Sequence, residues 1–241
     1  MFENRSYRRL HRKKGLTAFE VTVKETNLNI QADMDLSREA AGAVVGCRQI
    51  IEAYIREHPE FSASLSPVKK NARAPELIRT MLAAAQAAGV GPMAAVAGTV
   101  AEYTGRKLLN QTRQVMVENG GDIFVKSDTP TVFGIFAGAS DFSMSCGIEI
   151  ATQSRPYSIC TSSGTLGHSK SFGRADAAMV FSDSCALADA MATALGNRVE
   201  TPEDIEPAIA WGKTIDGVRG MVVILGENIG IWGKDLKLTA L

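Results

Sequence analysis

Short apolar runs follow one another through the second half of the chain, and few long helical patterns separate them. The runs cover residues 114–117, 131–136, 147–150, 177–181 and 220–225. Parallel strands of one sheet need long crossover connections, usually helices. The order therefore predicts an α+β fold, a mostly antiparallel sheet covered by helices, rather than a doubly wound α/β fold. The 241 residues suffice for a single domain over 1–241 or for two interlocked lobes.

The first half combines a strand-like start with helical patterns. Residues 18–24 and 28–32 alternate apolar and polar side chains, which predicts a hairpin. Apolar residues at helical spacing predict a helix from Ser37 to about His58. After an exposed connection over 62–74, two alanine-rich helices follow. So many small residues indicate close backbone approach, either to a neighbouring helix or to a ligand.

The charge of the chain limits its partners. It carries 26 basic and 26 acidic residues, which argues against bulk attraction to nucleic acid or to an anionic membrane. Residues 1–15 nevertheless form a basic N-terminal arm, which contains Arg5, Arg8, Arg9, His11, Arg12, Lys13 and Lys14. The arm is either a solvated arm or edge strand, or a segment that binds an anion or a partner. Nucleic-acid binding through it would show steep salt dependence.

Cysteine usage and hydropathy point to the cytoplasm. The four cysteines lie far apart and form no Cys-x-x-Cys pair, which argues against a zinc ribbon and a disulfide framework. No apolar run approaches the roughly 20 residues that span a bilayer, and the N-terminus lacks the apolar stretch of a secretory signal. We therefore expect a cytoplasmic protein without a membrane partner.

The segment Asn119-Gly120-Gly121-Asp122 follows a strand-like run. Its glycines tolerate the backbone angles of a sharp turn, and such a turn can expose backbone N–H groups to an anion. Two interpretations stay open: a cradle for a phosphorylated cofactor, or a simple turn between strands. The sequence contains no Walker loop.

A second polar segment, residues 160–171, concentrates hydroxyl side chains, glycines, one histidine and one lysine. Hydroxyl groups can donate to phosphate oxygens. The candidate cofactor-binding residues here are Thr161, Ser162, Ser163 and Gly164. His168 is the candidate catalytic acid or base, because imidazole titrates near neutral pH. A polar surface loop has a similar composition, and a single histidine is often structural, so both interpretations stay open.

Residues 184–195 predict a helix, with Ser182 or Asp183 as its cap. Between Cys185 and Leu195 its only strongly polar side chains are Asp189 and Thr193, so the helix is expected to be buried nearly all round. These two residues are four positions apart and share one face. A carboxylate with a hydroxyl suits Mg²⁺ that bridges a substrate phosphate. Alternatively, backbone donors satisfy Asp189 and Thr193 bonds back along its helix.

These motifs, in this order, resemble the ApbE superfamily, the FAD:protein FMN transferases, and more closely its small uncharacterised ApbE-like branch. The resemblance covers most of the chain from about Phe19 and is most specific over residues 117–123, 161–173 and 188–195. In the transferases the Gly-Gly-Asp segment lies at the flavin nucleotide site, and the last segment supplies an Asp and a Thr to Mg²⁺. The resemblance thus implies FAD or FMN as cofactor and Asp189 and Thr193 as magnesium ligands.

By this resemblance, the reaction is transfer of FMN from FAD, through a phosphoester, to a Ser or Thr hydroxyl of a protein. Two segments depart from the transferases. Where these carry Gly-Gly-Ile-Ala-Lys-Gly, residues 94–100 lack the lysine, and residues 167–173 replace a His-Ile-hydrophobic-Asp-Pro-x-Thr-Gly segment. Both departures fall where flavin and metal are held, so transferase activity does not follow from the fold.

Two classes of function are therefore predicted. The first is a protein with a cleft for a nucleotide, a flavin or another small phosphorylated ligand, in which Gly120, Gly121 and Ser163 donate to phosphate. The second is a non-catalytic partner or scaffold that keeps the fold and assembles with an enzyme of sulfur-amino-acid or redox metabolism. A homodimer through the alanine-rich helices fits either class.

Overall fold

The structure, a computed structural model, describes residues 13–138, 140–163 and 173–241, and these ranges form eleven strands and six helices. The strands are β1 Thr17–Val23, β2 Thr26–Ala32, β3 Val115–Asn119, β4 Asp122–Lys126, β5 Thr131–Gly134, β6 Cys146–Ile150, β7 Tyr157–Ser162, β8 Ala177–Ser182, β9 Val218–Leu225, β10 Asn228–Trp232 and β11 Leu236–Ala240. The helices are α1 Ser37–Glu57, α2 Glu60–Ala63, α3 Glu76–Ala88, α4 Val96–Leu108, α5 Cys185–Gly196 and α6 Ile205–Gly212.

Eight strands form one sheet in the order β1-β2-β3-β4-β7-β8-β9-β10. Every neighbouring pair in it is antiparallel. Between β4 and β7 the chain leaves this sheet to build a second one, of order β11-β6-β5. The predicted α+β class with antiparallel sheet and covering helices is confirmed.

The large sheet has a different apolar core on each face. On one face the helices bury side chains such as Phe61 and Ile78. On the other face the three-stranded sheet packs over the strands, and Phe133 and Tyr157 lie between the two sheets. Because strand residues alternate between faces, Tyr157 points to the sandwich while Cys160 of the same strand points to the helices.

The elements with clear periodicity are those that the sequence predicts. Helix α1 begins at Ser37 as expected, and the β1–β2 hairpin is present. Strands β4, β7, β10 and β11 were not predicted. Strand β7 matters most for the site, because Thr161 and Ser162 lie in it rather than in a loop.

The basic arm lies mostly outside the described residues, and Lys13 is its first described position. The ammonium group of Lys13 donates to Thr131 Oγ1 at 2.8 Å, to the Thr129 carbonyl oxygen at 3.0 Å and to Ser127 Oγ. These contacts fix the end of the arm to the connection between β4 and β5.

No single helix in the described ranges is long and apolar enough to cross a membrane. One pair of segments, Glu76–Ala88 with Pro92–Leu108, passes that test of length and composition only when joined, and it bends by 108° at its break.

Candidate functional site

Helix α5 carries the two predicted metal ligands. Ten of its twelve residues are buried, so the expectation of a helix buried nearly all round is confirmed. Ser184 is its N-cap, and the Ser184 hydroxyl accepts from Leu187 N at 3.4 Å. The expected cap at Ser182 or Asp183 is therefore wrong by one or two positions.

Helix α4 meets α5 at Gly98. A Cβ atom at this position would lie 2.4 Å from the carbonyl oxygen of Cys185 and 2.9 Å from Cβ of Asp189. Only glycine permits so close an approach of the two helices. The sequence predicts that the small residues of the alanine-rich region allow close approach either to a helix or to a ligand. At Gly98 the close approach is to a helix.

Helix α4 has no cap from its own chain segment, since its N-cap residue is Ala95. Instead, the Gly98 N–H donates to Asp189 Oδ2 at 2.8 Å. A local Ser or Asp cap likewise accepts from the second or third N–H of its helix. Asp189 thus caps α4 from the neighbouring helix. This contact agrees with the alternative prediction, in which backbone N–H groups satisfy the Asp189 carboxylate.

The Asn119–Asp122 segment is a two-residue hairpin loop between β3 and β4. Asn119 pairs with Asp122, and Gly120 and Gly121 have φ angles of 68° and 113°. Positive φ at both loop positions is what a tight hairpin requires, so the turn needs no ligand to explain it. Asn119 Nδ2 donates to the Ala97 carbonyl oxygen at 3.0 Å, which joins the hairpin to the first turn of α4.

The end of β7 lies against the same hairpin. Cys160 pairs directly with Asp122 of β4, and Thr161 N donates to the Gly121 carbonyl oxygen at 3.2 Å. Together with the contact between Gly98 and Asp189, these bonds bring all three predicted motifs to one place.

The other predicted cofactor residues lie at the end of this strand. Ser162 Oγ is buried and has no hydrogen-bond partner in the described part of the chain. Ser163 follows it and is half-buried. Gly164 and His168 lie outside the described residues.

Asp122 and Asp189 are buried carboxyl groups that affect each other. Burial raises the pKa of Asp122 to about 7, against the effect of a hydrogen bond with Cys160, and nearby Glu118 raises it further. Burial likewise raises the pKa of Asp189 well above its usual value, Asp122 adds to this, and two backbone N–H groups of α4 oppose it. Neither carboxyl group forms an ion pair with a described residue. Among the described residues, the site therefore holds acidic groups without a compensating cation.

Two thiols complete this cluster. Cys160 Sγ lies 3.6 Å from Cys185 Sγ, and both side chains are fully buried. Burial raises the pKa of both thiols. They are therefore uncharged at neutral pH and add no further negative charge to the site.

Thr193 lies one helical turn after Asp189 and is half-buried. Its hydroxyl forms no hydrogen bond with a described residue, so the predicted bond back along the helix is not seen. No set of three or more His, Cys, Asp or Glu side chains in the described ranges is arranged to hold a metal ion. A divalent cation at Asp189 and Thr193 would need water and phosphate oxygens as further ligands, which suits Mg²⁺.

Glu102 is a residue of this site that the sequence did not reveal. Its Oε2 accepts from Cys185 N, the first amide of α5, at 2.8 Å across 83 positions of the chain. The only signal in the sequence is the spacing of four residues between Gly98 and Glu102, which puts both on one face of α4.

The comparison with known proteins fits this arrangement. Residues 8–229 match the family model described as AbpE bacteria. The chain belongs to this family. A member of similar length, named UPF0280 protein, comes from Methanosarcina acetivorans and is 41% identical over 220 residues, which cover 90% of this chain and 87% of the relative. The resemblance to the ApbE-like branch is thereby confirmed.

Solved ApbE structures share the fold of this AbpE chain. The flavin transferase ApbE from Vibrio cholerae superposes with a TM-score of 0.53 at 14% identity, covering 91% of this chain and 97% of its own. The ApbE protein from Thermotoga maritima gives a TM-score of 0.58 at 13% identity, covering 89% and 96%. At these identities the likeness shows the fold alone.

Proposed function

We propose that this protein binds a flavin nucleotide together with Mg²⁺ at the contact of α4, α5, the β3–β4 hairpin and the end of β7. We further propose that it transfers the FMN part of FAD to a protein hydroxyl, so that a phosphoester forms while the pyrophosphate bond breaks and AMP leaves, with the proton of the hydroxyl accepted by the protein or by water. A small phosphorylated ligand and an acceptor protein are then its partners.

One observation carries this proposal: Asp122 and Asp189 are buried near each other without a cation among the described residues. Two carboxyl groups in such surroundings cost stability unless they hold protons or a cation. A bound divalent cation would offset both charges. The proposal therefore gives a reason for an arrangement that folding alone would avoid.

The residues present fit magnesium and a nucleotide in kind. Asp189 and Thr193 would hold Mg²⁺, since both present oxygen atoms, and Mg²⁺ would neutralise charge on the pyrophosphate when bound. The proposed nucleotide contacts are Asn119, Gly120, Gly121, Asp122, Thr161, Ser162, Ser163 and Gly164. The buried Oγ of Ser162 has no described partner and is available to a phosphate oxygen. His168 is the proposed proton-transfer residue.

The fold relatives support this choice of chemistry. The Vibrio cholerae protein is named a flavin transferase, and its fold covers 91% of this chain. The lysine that is missing from residues 94–100 is not needed for the fold, because Asp189 caps the start of α4 in this chain. Its absence therefore bears on the reaction.

A non-catalytic partner protein with the same fold is the second candidate. It is favoured by the bond between Gly98 N and Asp189 Oδ2, which gives that carboxylate a structural role without any ligand. In this case Asp189 serves the packing of α4 on α5, and the missing lysine reflects a lost reaction.

Calorimetric titration with FAD, FMN and ADP, each with Mg²⁺ and again with EDTA, separates the two candidates. We expect FAD binding that depends on Mg²⁺. Asp189→Asn keeps an oxygen that accepts from Gly98 N but removes the charge, so it should fold and lose the magnesium-dependent binding. Asp216→Asn, at an exposed position, is the matched control and should bind normally. Absence of binding by all three ligands would overturn the proposal in favour of a partner protein.

Three wider features belong to the proposal. Residues 1–241 form a single domain, an inference supported by the large sheet shared between both cores. The cytoplasmic location is supported by four free cysteines. A homodimer is the third feature, and sedimentation velocity at several concentrations tests it.

A further inference from the structure

Helices α4 and α5 cap each other. Asp189 of α5 accepts from the Gly98 N–H near the start of α4, and Glu102 of α4 accepts from the Cys185 N–H at the start of α5, both at 2.8 Å. Each carboxylate faces the positive end of the other helix, where an anion is stabilised. The two contacts bracket one turn of each helix.

Glu102 is itself held in place by a neighbour. Arg106, one turn further along α4, contacts Glu102 Oε1 through Nε at 2.8 Å and through Nη2 at 2.7 Å. The other carboxylate oxygen, Oε2, is thereby left for Cys185 N. Each carboxylate oxygen of Glu102 has its own hydrogen-bond partner, and the two bonds together fix the rotamer of the side chain.

Helix α4 is also fixed to the strand that carries Asp122. A Cβ atom at Gly105 would lie 2.1 Å from the ring of Phe124, so the helix backbone rests directly on this side chain of β4. Strand β4 therefore fixes the position of α4, and Glu102 of α4 fixes the first turn of α5. Asp189 lies four residues after Cys185, on the next turn of this helix.

We infer that Glu102 is a positioning residue that sets the place of Asp189 relative to the hairpin carboxylate Asp122. The inference rests on the proposed function, because the exact position of Asp189 matters only if Asp189 binds a cation. In the described part of the chain, Glu102 forms no bond with Asp189 or with the hairpin, and it acts through the backbone of α5. Partners that orient a metal ligand typically change metal affinity by about 10- to 100-fold when they are removed.

The first test needs no ligand. Amide hydrogen exchange, measured by NMR, is compared between the unmodified protein and Glu102→Ala. A positioning role predicts that the amides of both Cys185 and Gly98 exchange at least about tenfold faster, although Gly98 bonds to Asp189 and not to Glu102. Faster exchange at Cys185 with unchanged protection at Gly98 would reduce Glu102 to a local cap and overturn the inference.

Two further variants control this experiment. Glu102→Gln keeps an oxygen acceptor for Cys185 N and should restore protection to within about threefold. Glu39→Ala removes an exposed glutamate from α1 and should change neither amide. Should Glu102→Ala fail to fold, Glu102→Asp replaces it, because a carboxylate shorter by one methylene still loses its reach to Cys185 N.

The second test uses Mn²⁺ as the probe, followed by electron paramagnetic resonance in the presence of FAD. We expect Glu102→Ala to weaken Mn²⁺ binding by about 10- to 100-fold and Glu102→Gln to weaken it much less. Unchanged Mn²⁺ affinity in Glu102→Ala would overturn the positioning role. If the unmodified protein binds no Mn²⁺, the proposed function fails, and the exchange rates alone decide the role of Glu102.

Discussion

The two faces of strand β7 differ in what they bury. Toward the three-stranded sheet, Tyr157 packs edge-on against Phe133 and Phe181, with ring centroids 6.3 and 5.5 Å apart. Toward the helices, Cys160 lies opposite Asp122 in a cluster of buried acidic groups and thiols. Aromatic packing stabilises a core directly, whereas buried carboxyl groups without a cation cost stability. The buried acidic groups on the helix-facing side are not explained by stability, so this side is where we expect the functional site.

The largest expected effect comes from the sandwich face. Phe181→Ala removes a side chain that is 1% exposed and in ring contact with Tyr157. We expect a loss of about 3–5 kcal/mol in the free energy of unfolding, measured with denaturant. Ligand affinity of the folded fraction should stay the same. A large loss of ligand affinity in the folded variant would show that the sandwich face also contributes to binding, which would contradict the proposed difference between the two faces.

On the helix-facing side, alanine and asparagine at position 189 should behave differently. Asp189→Ala leaves the buried Gly98 N–H without an acceptor, and we expect a loss of about 1–3 kcal/mol in the free energy of unfolding. Asp189→Asn keeps the acceptor and removes the buried ionisable group, so its stability should equal or exceed that of the unmodified protein. Thermal and denaturant unfolding of both variants measure this. Equal destabilisation by the two changes would show that the charge itself holds the fold.

The pH dependence of stability should reveal the raised pKa of Asp122. Its carboxyl group keeps a proton in the folded state up to about pH 7, whereas in the unfolded chain it loses the proton near its usual 3.8. The folded state therefore binds more protons in this interval, and stability falls as pH rises from about 4 to about 7. We expect Asp122→Asn to flatten this part of the pH profile, because the amide binds no proton in either state. Identical pH profiles of the two proteins, measured by denaturant unfolding, would contradict a buried protonated Asp122.

The smallest expected effect is that of Tyr157→Phe. Burial raises the pKa of Tyr157 to about 12, and its hydroxyl forms a hydrogen bond with Thr131. Removing that hydroxyl should cost about 0.5–1.5 kcal/mol of unfolding free energy, with no change in ligand binding. Denaturant unfolding checks the first part and calorimetry with FAD the second.

Periodic patterns predicted most of the fold, and mixed patterns hid the rest. Helix α1 has apolar residues at helical spacing, and β9 is an almost continuous apolar run. Strand β7, in contrast, alternates Tyr157 and Ile159 with Ser158 and Cys160, and its polar end continues into the Thr-Ser-rich segment. The polar composition hid this strand, because its helix-facing side is polar although buried.

Asp189 was predictable as a site residue because it contradicts its surroundings, whereas Glu102 was not. Asp189 stands out as a lone carboxylate in an apolar helix, and its burial follows from that pattern. Glu102 is an ordinary glutamate in an amphipathic helix, and its partner at Cys185 is distant in the chain. The tertiary contact between α4 and α5 alone gives Glu102 its role, and no local pattern records such a contact.

Counting the protons released when Mg²⁺ binds is the most direct test that the cation lies at Asp189, close enough to Asp122 to change its protonation. Calorimetry near pH 7 with FAD present, in two buffers of different ionisation enthalpy, gives this number. Metal binding requires deprotonated carboxylates, and the pKa of Asp122 is raised to about 7. We therefore predict proton release on Mg²⁺ binding and its loss in Asp122→Asn. Magnesium binding without proton release, or the same release in the variant, would show that the cation does not bind beside these carboxyl groups.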